Sequence, residues 1–193
     1  MSSDVILTSL DCMSRHEATE ISRLHVAGLP DSINSMRGEK SVAWIYRYVL
    51  KKKQCVIVAA GAGRIAGVIT ATDSRRPPST LTIAAVFPLR WVALLLGRPL
   101  QLIRLLSDAV SLAHARTRAG DHLYIAALVV EPSRHRSGIG LQLVMEVVQS
   151  AKRAGLKVLV DTHRDNEPAR KLYEAAGFRQ IYETKMSVMF ACV

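Results

Sequence analysis

The segment 130–141, VEPSRHRSGIGL, decides the fold predicted for this chain. Before it, residues 123–130 form a nearly continuous apolar run, which is typical of a central strand buried on both faces. After it, residues 140–154 carry an apolar stripe at helical spacing. A buried strand, a short basic loop and a helix in this order predict a mixed α/β domain built on one sheet.

The loop within this segment has the features of a diphosphate site. The first-turn N–H groups of the following helix lack partners within the helix, and the helix dipole is positive there. Gly138 and Gly140 have no Cβ to keep a phosphate from the backbone, and Arg134 and Arg136 add positive charge. A P-loop and a Rossmann turn are excluded, because no Lys-Ser/Thr follows the glycines and their spacing differs. A Gly-x-Gly loop alone is also typical of an ordinary tight turn.

Two segments resemble the acyl-coenzyme A site of the GNAT superfamily of N-acetyltransferases. In the loop, the residues that match the family's signature (Gln or Arg, two residues, Gly, one residue, then Gly or Ala) and its flanks are Val130, Pro132, Gly138, Ile139, Gly140 and Leu141. In 160–178, VDTHRDNEPARKLYEAAGF, the residues that recur in the family at this spacing are Asn166, Ala169, Leu172, Tyr173, Gly177 and Phe178. One position departs from the signature, because His135 stands where the family has Gln or Arg.

This resemblance implies both a fold and a reaction. It implies a mixed α/β (α+β) fold with a mostly antiparallel central sheet, flanked by helices and splayed at the central strands. It also implies an enzyme that transfers an acetyl group from acetyl-CoA, its cosubstrate, directly to a primary amine. Backbone groups of the central strand would hold the pantetheine arm, and the loop would hold the diphosphate. The implied cosubstrate-binding residues are Leu128, Val130, His135, Arg136, Ser137, Gly138, Ile139, Gly140, Leu141, Asn166 and Ala169.

Two residues are candidate catalysts. In the family, a tyrosine at the position of Tyr173 is the usual general acid, which protonates the departing sulfur. Tyr173 also belongs to an apolar helix face, so simple packing is the alternative. His122 lies near the place where the family often supplies a base, and an imidazole titrates near neutrality. A surface position for His122, with a water relay as the base, is the alternative. No metal site is predicted, because the three cysteines show no ligand spacing.

The whole chain, 1–193, is predicted to be a single GNAT-like domain. Ser14 and Glu17 form a predicted capping box, which opens a helix that runs to about Gly28. The remaining predicted helices cover 39–52, 140–154 and 168–176, and the predicted strands cover 4–10, 55–60, 65–73, 81–87, 123–130, 158–161, 179–184 and 185–190.

Residues 88–118 form a predicted helical insertion, broken near Pro99. They exceed what a compact GNAT domain needs between its third and fourth strands. Arginines among leucines suit a peripheral contact with an anionic membrane surface or a cover over the acceptor cleft. An amphipathic helix packed on this domain, or on the second subunit of a homodimer, is the alternative. Arginines and prolines interrupt the apolar stretch 81–106, which excludes a transmembrane helix.

The composition limits the partners. The chain has 26 Lys and Arg against 16 Asp and Glu, a formal net charge of +10, which favours anionic partners. Nucleic acid is not a predicted partner, because no motif for binding it is present. Without a signal-peptide pattern, the protein is predicted to be cytoplasmic. The predicted acceptor is a small-molecule amine; a protein α-amine or lysine, and a non-catalytic acyl-CoA-binding regulatory domain, are the alternatives. The residues that either line the acceptor cleft or pack in the core are His25, Tyr46 and Tyr48.

Overall fold

The computed structural model describes residues 5–61, 63–77 and 99–192, and the elements are numbered within these residues. The strands are β1 Ile6–Ser9, β2 Cys55–Gly61, β3 Arg64–Asp73, β4 His122–Val130, β5 Lys157–His163, β6 Arg179–Glu183 and β7 Ser187–Cys192. The helices are α1 Arg15–Gly28, α2 Ile33–Met36, α3 Glu39–Lys51, α4 Pro99–Arg118, α5 Ile139–Arg153 and α6 Glu167–Ala175, with a 3-10 turn at Pro132–Arg134. The predicted strand 81–87 and the first part of the predicted insertion, 88–98, lie outside the described residues.

Within the described residues, the strands form one seven-stranded sheet in the order β1-β2-β3-β4-β5-β7-β6. Neighbouring strands are antiparallel except β4 and β5, which are parallel. A parallel pair needs a crossover connection, and α5 provides it. The predicted mixed, mostly antiparallel sheet flanked by helices is confirmed.

Two helices begin at caps that are visible in the sequence. Before α1, the Ser14 hydroxyl accepts the Glu17 N–H at 3.1 Å, and the Glu17 carboxylate accepts the Ser14 N–H at 2.8 Å. This confirms the predicted capping box. Before α6, the side-chain oxygen of Asn166 accepts the N–H of Ala169 at 3.2 Å. Each cap satisfies a backbone donor that the helix itself leaves unpaired.

Helices cover both faces of the sheet. On one face, α5 and α6 pack over a core that includes Ile125 of β4 and Val160 of β5. On the other face, α1 and α3 pack over a core that includes Val129. Side chains alternate along a strand, so Tyr124 and Asp161, the neighbours of Ile125 and Val160, lie on the face opposite α5 and α6.

The parallel pairing of β4 and β5 stops halfway along the strands. The register ends at Ile125, opposite Val160. The next residue, Ala126, is an exposed bulge that has no partner in β3. Residues 126–130 of β4 and 161–163 of β5 therefore border an opening between the two strands, called the gap below. The gap is the predicted splay of the central strands.

Helix α4 is held against the sheet by one stripe of its surface. Asp108, Leu112 and Arg116 are four residues apart and therefore share a helix face. Leu112 is buried, and the Arg116 guanidinium binds Asp161 in β5. Asp108 accepts a hydrogen bond from Thr184, in the turn between β6 and β7. Helix α4, the described part of the predicted insertion, thus packs on its own sheet, which was one of the alternatives. No helix of the described residues is long and apolar enough to cross a membrane.

Candidate active site

The connection from β4 to α5 leaves a helix N-terminus open. Gly138 precedes the first residue of α5 with a left-handed φ of 85°, and no side chain caps the helix there. Arg136 is also left-handed, with φ of 62°. The Ser137 hydroxyl donates to the carbonyl of Arg134 at 2.6 Å, which tightens the turn. Within the described residues, the first-turn N–H groups of α5 are therefore left without a side-chain acceptor.

Gly138, at the end of the loop, and Gly140, in the first turn of α5, are each suited to glycine for a different structural reason. A Cβ on Gly138 would meet no atom within 4 Å, but the left-handed backbone disfavours other residues there. A Cβ on Gly140 would lie 2.9 Å from Cδ1 of Leu172. Gly140 therefore lets α6 approach α5 closely. Gly138 leaves open space beside the helix N-terminus, which an anionic group needs.

The charged side chains of the loop are held in different ways. Nε2 of His135 lies 3.0 Å from the carbonyl oxygen of Val130, so its ring ties the loop back to β4. Arg134 pairs with Glu131 at 3.6 Å, whereas the side chain of Arg136 is exposed. The departure from the family signature thus falls on a residue that braces the loop, and Arg136 supplies positive charge at its surface.

A polar cluster of Arg116, Tyr124 and Asp161, called the gap cluster below, lies where the strands separate. Asp161 accepts a hydrogen bond from the Tyr124 hydroxyl at 2.6 Å and one from the Arg116 guanidinium at 3.1 Å. The Arg116 guanidinium carbon also lies 3.7 Å from the centre of the Tyr124 ring, a cation–π arrangement. Both donors bind the same carboxylate oxygen, Oδ1. Oδ2 of Asp161 accepts no hydrogen bond from the described residues.

Tyr173 of α6 is buried against two aromatic rings. Its ring centre lies 5.7 Å from that of Phe178 and 6.1 Å from that of Phe190, and the residue is 5% exposed. The Tyr173 hydroxyl has no hydrogen-bond partner among the described residues. The aromatic contacts therefore fix the direction of the hydroxyl without engaging it.

Burial and charge set the protonation of this group of residues. Burial raises the pKa of Tyr173 above its usual value, and the Asp161 charge raises it further. Burial and then Asp161 also raise the pKa of Tyr124, so both phenols keep their protons at neutral pH. Burial raises the pKa of Asp161 as well, while Arg116 opposes that rise and Asp108 adds to it. Asp161 therefore takes up a proton more readily than an exposed carboxylate does.

Comparison with known proteins assigns the family. A model of the acetyltransferase (GNAT) family matches residues 30–178. The chain belongs to this family. A segment of 62 residues, 32% of the chain, is 40% identical to GCN5-related N-acetyltransferase 6, chloroplastic, from Arabidopsis thaliana. The matching segment spans 21% of the length of that plant protein.

Solved structures of acetyltransferases share the fold over nearly the whole chain. The N-acetyltransferase from Staphylococcus aureus Mu50 aligns with a TM-score of 0.62 and 12% identity, over 98% of each chain. The yncA protein from Salmonella typhimurium, in a structure with its cofactor acetyl-CoA, aligns with a TM-score of 0.56 and 13% identity, over 96% of this chain and 91% of the other. At these identities the likeness concerns the fold. The family match confirms the GNAT resemblance and the predicted class of enzyme.

The structure brings most of the predicted GNAT site residues to the gap, to the loop that leaves it, or to α6. His122 is the exception, because it begins β4, at the end of the strand away from the loop. It is buried, and its Nδ1 lies 2.6 Å from the carbonyl oxygen of Gly120. The predicted residues on β4 beyond the bulge, in the loop and first turn of α5, or on α6 and its cap are Leu128, Val130, His135, Arg136, Ser137, Gly138, Ile139, Gly140, Leu141, Asn166, Ala169 and Tyr173.

The gap cluster could not be identified from the sequence as part of a GNAT site. Asp161 stood at the end of a predicted strand and Arg116 within the predicted insertion, and the two are 45 residues apart in the chain. One signal was available: a carboxylate directly follows the apolar residues of β5. A charge at such a position is costly to bury unless it is paired. The partner itself is visible only once α4 is placed on the sheet.

Proposed function

We propose that this chain is an N-acetyltransferase that passes an acetyl group from acetyl-CoA directly to a primary amine of a small molecule. The observation that carries the proposal is the gap between β4 and β5. The open N-terminus of α5 follows one strand of the gap, Asp161 borders the gap on the other strand, and the Asp161 charge acts on Tyr173 of α6. Family membership supports the reaction. Structurally similar proteins from Salmonella typhimurium and Bacillus subtilis are found with acetyl-CoA and CoA, respectively.

The loop and the gap offer groups that fit acetyl-CoA. The N–H groups of residues 138–141, the open space at Gly138 and the charge of Arg136 suit a diphosphate. Among the described residues, 126–130 of β4 have no strand partner on the side of β5, so their backbone is available to the pantetheine arm. Asn166 already uses its side-chain oxygen to cap α6, which leaves its amide N–H groups for the cosubstrate. Bound acetyl-CoA would supply a thioester carbonyl for the amine to attack and a thiolate leaving group.

Tyr173 is the proposed general acid of this reaction. Its raised pKa keeps the hydroxyl protonated at neutral pH. The hydroxyl is not consumed by an internal hydrogen bond among the described residues, so it is available to protonate the departing thiolate. A non-catalytic acyl-CoA-binding domain has no need for such a donor, which favours the enzyme over that alternative.

Asp161 is the proposed proton acceptor for the amine. An alkylamine is protonated at neutral pH and must lose a proton before it attacks the thioester. Asp161 borders the gap, acts on Tyr173 through its charge, and has one carboxylate oxygen that accepts no hydrogen bond from the described residues. His122, the base predicted from the sequence, is the alternative. Its position at the start of β4 and its contact with the Gly120 carbonyl favour Asp161 over it.

Two cavities beside α4 favour a small acceptor. One, of ≈ 450 Å³, lies between the end of α4 and the start of β4, and Arg116, Tyr124 and the alternative base His122 line it. The other, of ≈ 820 Å³, lies between α4 and the β6–β7 turn, and Asp108 lines it. Cavities of this size suit small molecules, and the nearby carboxylates suit a cationic amine. A protein α-amine or lysine remains the alternative acceptor, and the cytoplasmic location and the homodimer stay predictions.

Thiol release from acetyl-CoA, measured against a panel of amines, tests the proposal. The panel contains amino sugars, polyamines and aminoglycosides on one side and peptides with a free α-amine or lysine on the other. We expect release only when an amine is present, with the higher kcat/KM for a small amine. Release of thiol with peptides alone would show that the acceptor is a protein α-amine or lysine.

Calorimetry with acetyl-CoA on the same preparation separates binding from transfer. We expect a saturable heat and a raised melting temperature, because a ligand that binds only the native state stabilises it. Binding without turnover of any amine would make the chain an acyl-CoA-binding domain. Neither heat nor a melting shift at saturating acetyl-CoA would overturn the cosubstrate assignment.

A further inference from the structure

Arg116 reaches the gap cluster from the inserted helix α4 and is held there on two sides. Its guanidinium lies 3.1 Å from Oδ1 of Asp161 and 3.7 Å from the centre of the Tyr124 ring. The side chains of Arg116 and Asp161 are only 26% and 17% exposed. Nε of Arg116 is buried without a hydrogen-bond partner among the described residues. The position of the guanidinium is therefore set by the carboxylate and the aromatic ring.

We propose that Arg116 is a positioning residue of the active site, which holds Oδ1 of Asp161 together with Tyr124 so that Oδ2 faces the acceptor amine. This inference rests on the proposed function. The two donors approach one oxygen from α4 and from β4, and two donors on one oxygen restrict rotation of the carboxylate. The oxygen that remains is the one without a donor among the described residues. Helix α4 is then part of the catalytic apparatus rather than a cover alone.

The contacts of α4 with the sheet explain how Arg116 is placed beside Asp161. One helix face carries Asp108, Leu112 and Arg116. Asp108 accepts hydrogen bonds from Thr184 and, at 2.5 Å, from the Ser187 hydroxyl. Leu112 is buried between the two polar contacts. The helix is thus fixed at two points along its length, and Arg116 is placed by a regular element rather than by a loop.

The guanidinium also controls the charge of Asp161. Among the described residues, the titratable and charged groups that act on Asp161 include Arg116 and Asp108 of α4 and Tyr124 of β4, and Asp161 acts in turn on Tyr173 of α6. Burial and Asp108 raise the pKa of Asp161, and Arg116 is the cation that opposes them. Without that cation, Asp161 would keep its proton to a higher pH. A protonated Asp161 cannot accept a proton from the amine.

Two substitutions separate the charge of Arg116 from its packing. Arg116→Gln keeps a hydrogen-bond donor and loses the charge, whereas Arg116→Lys keeps the charge and loses the planar fork. Arg118→Gln, an exposed arginine on the same helix, is the matched control. The first readout is the titration of the Asp161 carboxyl carbon by NMR in the protein without ligands. The second is the pH profile of kcat/KM, and melting temperatures of all variants show that they are folded.

We expect Arg116→Gln to raise the pKa of Asp161 by about one unit or more, and to move the acid limb of kcat/KM upward by the same amount. Arg116→Lys should restore most of that shift, and Arg118→Gln should cause none. A merely structural role would lower the melting temperature of both Arg116 variants and leave the Asp161 titration unchanged, which would overturn the inference.

Failure of the proposed function has a different signature. If the wild-type chain released no thiol with any amine, the proposed reaction would fail, while the NMR titration would still report whether Arg116 controls Asp161. If the wild type were active and Arg116→Gln kept the wild-type titration and acid limb, the inference alone would fail. Should Arg116→Gln not fold, Asp108→Asn provides the second variant. It removes a neighbouring negative charge and should lower the pKa of Asp161; an unchanged or raised value would count against the electrostatic control proposed here.

Discussion

Asp161 is a partly buried and His25 a buried titratable group, and each contacts a tyrosine hydroxyl, yet their surroundings differ. The Tyr124 hydroxyl lies 2.6 Å from Oδ1 of Asp161, and the Tyr46 hydroxyl lies 2.9 Å from Nδ1 of His25. Asp161 borders the gap and faces the Arg116 guanidinium. His25 is 4% exposed, lies on α1 against α3, and its Nε2 has no partner among the described residues.

The difference shows that burial and a tyrosine partner do not by themselves make a reactive group. Burial lowers the pKa of His25 to about 4, so its ring stays neutral near pH 7 and its role is packing. At Asp161 burial is opposed by a cation, and the carboxylate lies where an amine would have to lose a proton. The sequence left open whether His25 and Tyr46 line the acceptor cleft or pack; the structure buries both of them.

The largest effect is expected when the Tyr173 hydroxyl is removed. Tyr173→Phe keeps the ring that packs against Phe178 and Phe190 and removes the proposed proton donor. We expect turnover to fall about 10²–10⁴-fold, with acetyl-CoA affinity and melting temperature nearly unchanged. Kinetics, calorimetry and melting on one preparation check this. Tyr46→Phe removes the hydroxyl that contacts His25 in the core. It is the control and should retain turnover. Full activity of the Tyr173 variant would end the general-acid assignment.

A second substitution tests the carboxylate of the gap cluster. Asp161→Asn keeps the shape and an acceptor for Tyr124 but cannot take up the amine proton. We expect turnover at neutral pH to fall about 10²-fold, the low end for a proton-transfer group, because water also accepts protons. The wild type should lose activity as the pH falls through the raised pKa of Asp161, since the ionised form is required. In the Asn variant this limb should be absent.

Asp165→Asn, in the exposed turn after β5, is the matched control for this experiment. It should keep both the turnover and the acid limb of the wild type. An Asp161→Asn variant with the wild-type acid limb would show that another group titrates there. His122→Gln would then be the next variant, because His122 is the alternative base.

Much of the fold could be predicted because its signals are local. The capping box of Ser14 and Glu17, the proline-led helix after Asn166 and the glycines of the loop each lie within a few residues of the feature they produce. The bulge at Ala126 could not be predicted in the same way. It appears only when β4 is paired with β3 on one side and leaves β5 on the other.

The same distinction between local sequence signals and packing applies to the site. The loop before α5 acts through backbone N–H groups, and it can be identified in the sequence by glycines at a fixed spacing. The gap cluster acts through side chains from α4, β4 and β5, whose meeting depends on how those elements pack. Gly140 shows a mixed case: its lack of a side chain fits the loop signature, but the close neighbour is Leu172 of α6.

A third prediction concerns His25, the residue of the compared pair for which no catalytic role is proposed. Its pKa in the folded state is about 4, below the ordinary value of 6.5, so the unfolded chain binds the proton more tightly. The stability from this shift is present above pH 6.5 and is lost as the pH falls toward 4. The expected loss is about 3 kcal/mol, from denaturant unfolding at a series of pH values. His25→Gln should flatten this dependence, and His114→Gln, at an exposed position on α4, should not. A wild-type slope in His25→Gln would contradict the assignment.

The smallest effect, and the most direct test of the comparison, comes from removing the two partner hydroxyls in turn. Tyr124→Phe takes one donor from Oδ1 of Asp161 and leaves Arg116 in place, so the carboxylate is held less firmly but keeps its cation. We expect kcat/KM to fall about tenfold, the worth of one hydrogen bond to a charged group, with a small upward move of the acid limb. Tyr46→Phe removes the partner of a neutral ring inside the core. It should cost about 1 kcal/mol of unfolding free energy and leave kcat/KM and its pH profile unchanged. Both variants are measured by urea unfolding and by thiol release on the same preparations. If Tyr124→Phe lost stability but not rate, the hydroxyl at Asp161 would be as purely structural as the one at His25, and the contrast between the two pairs would disappear.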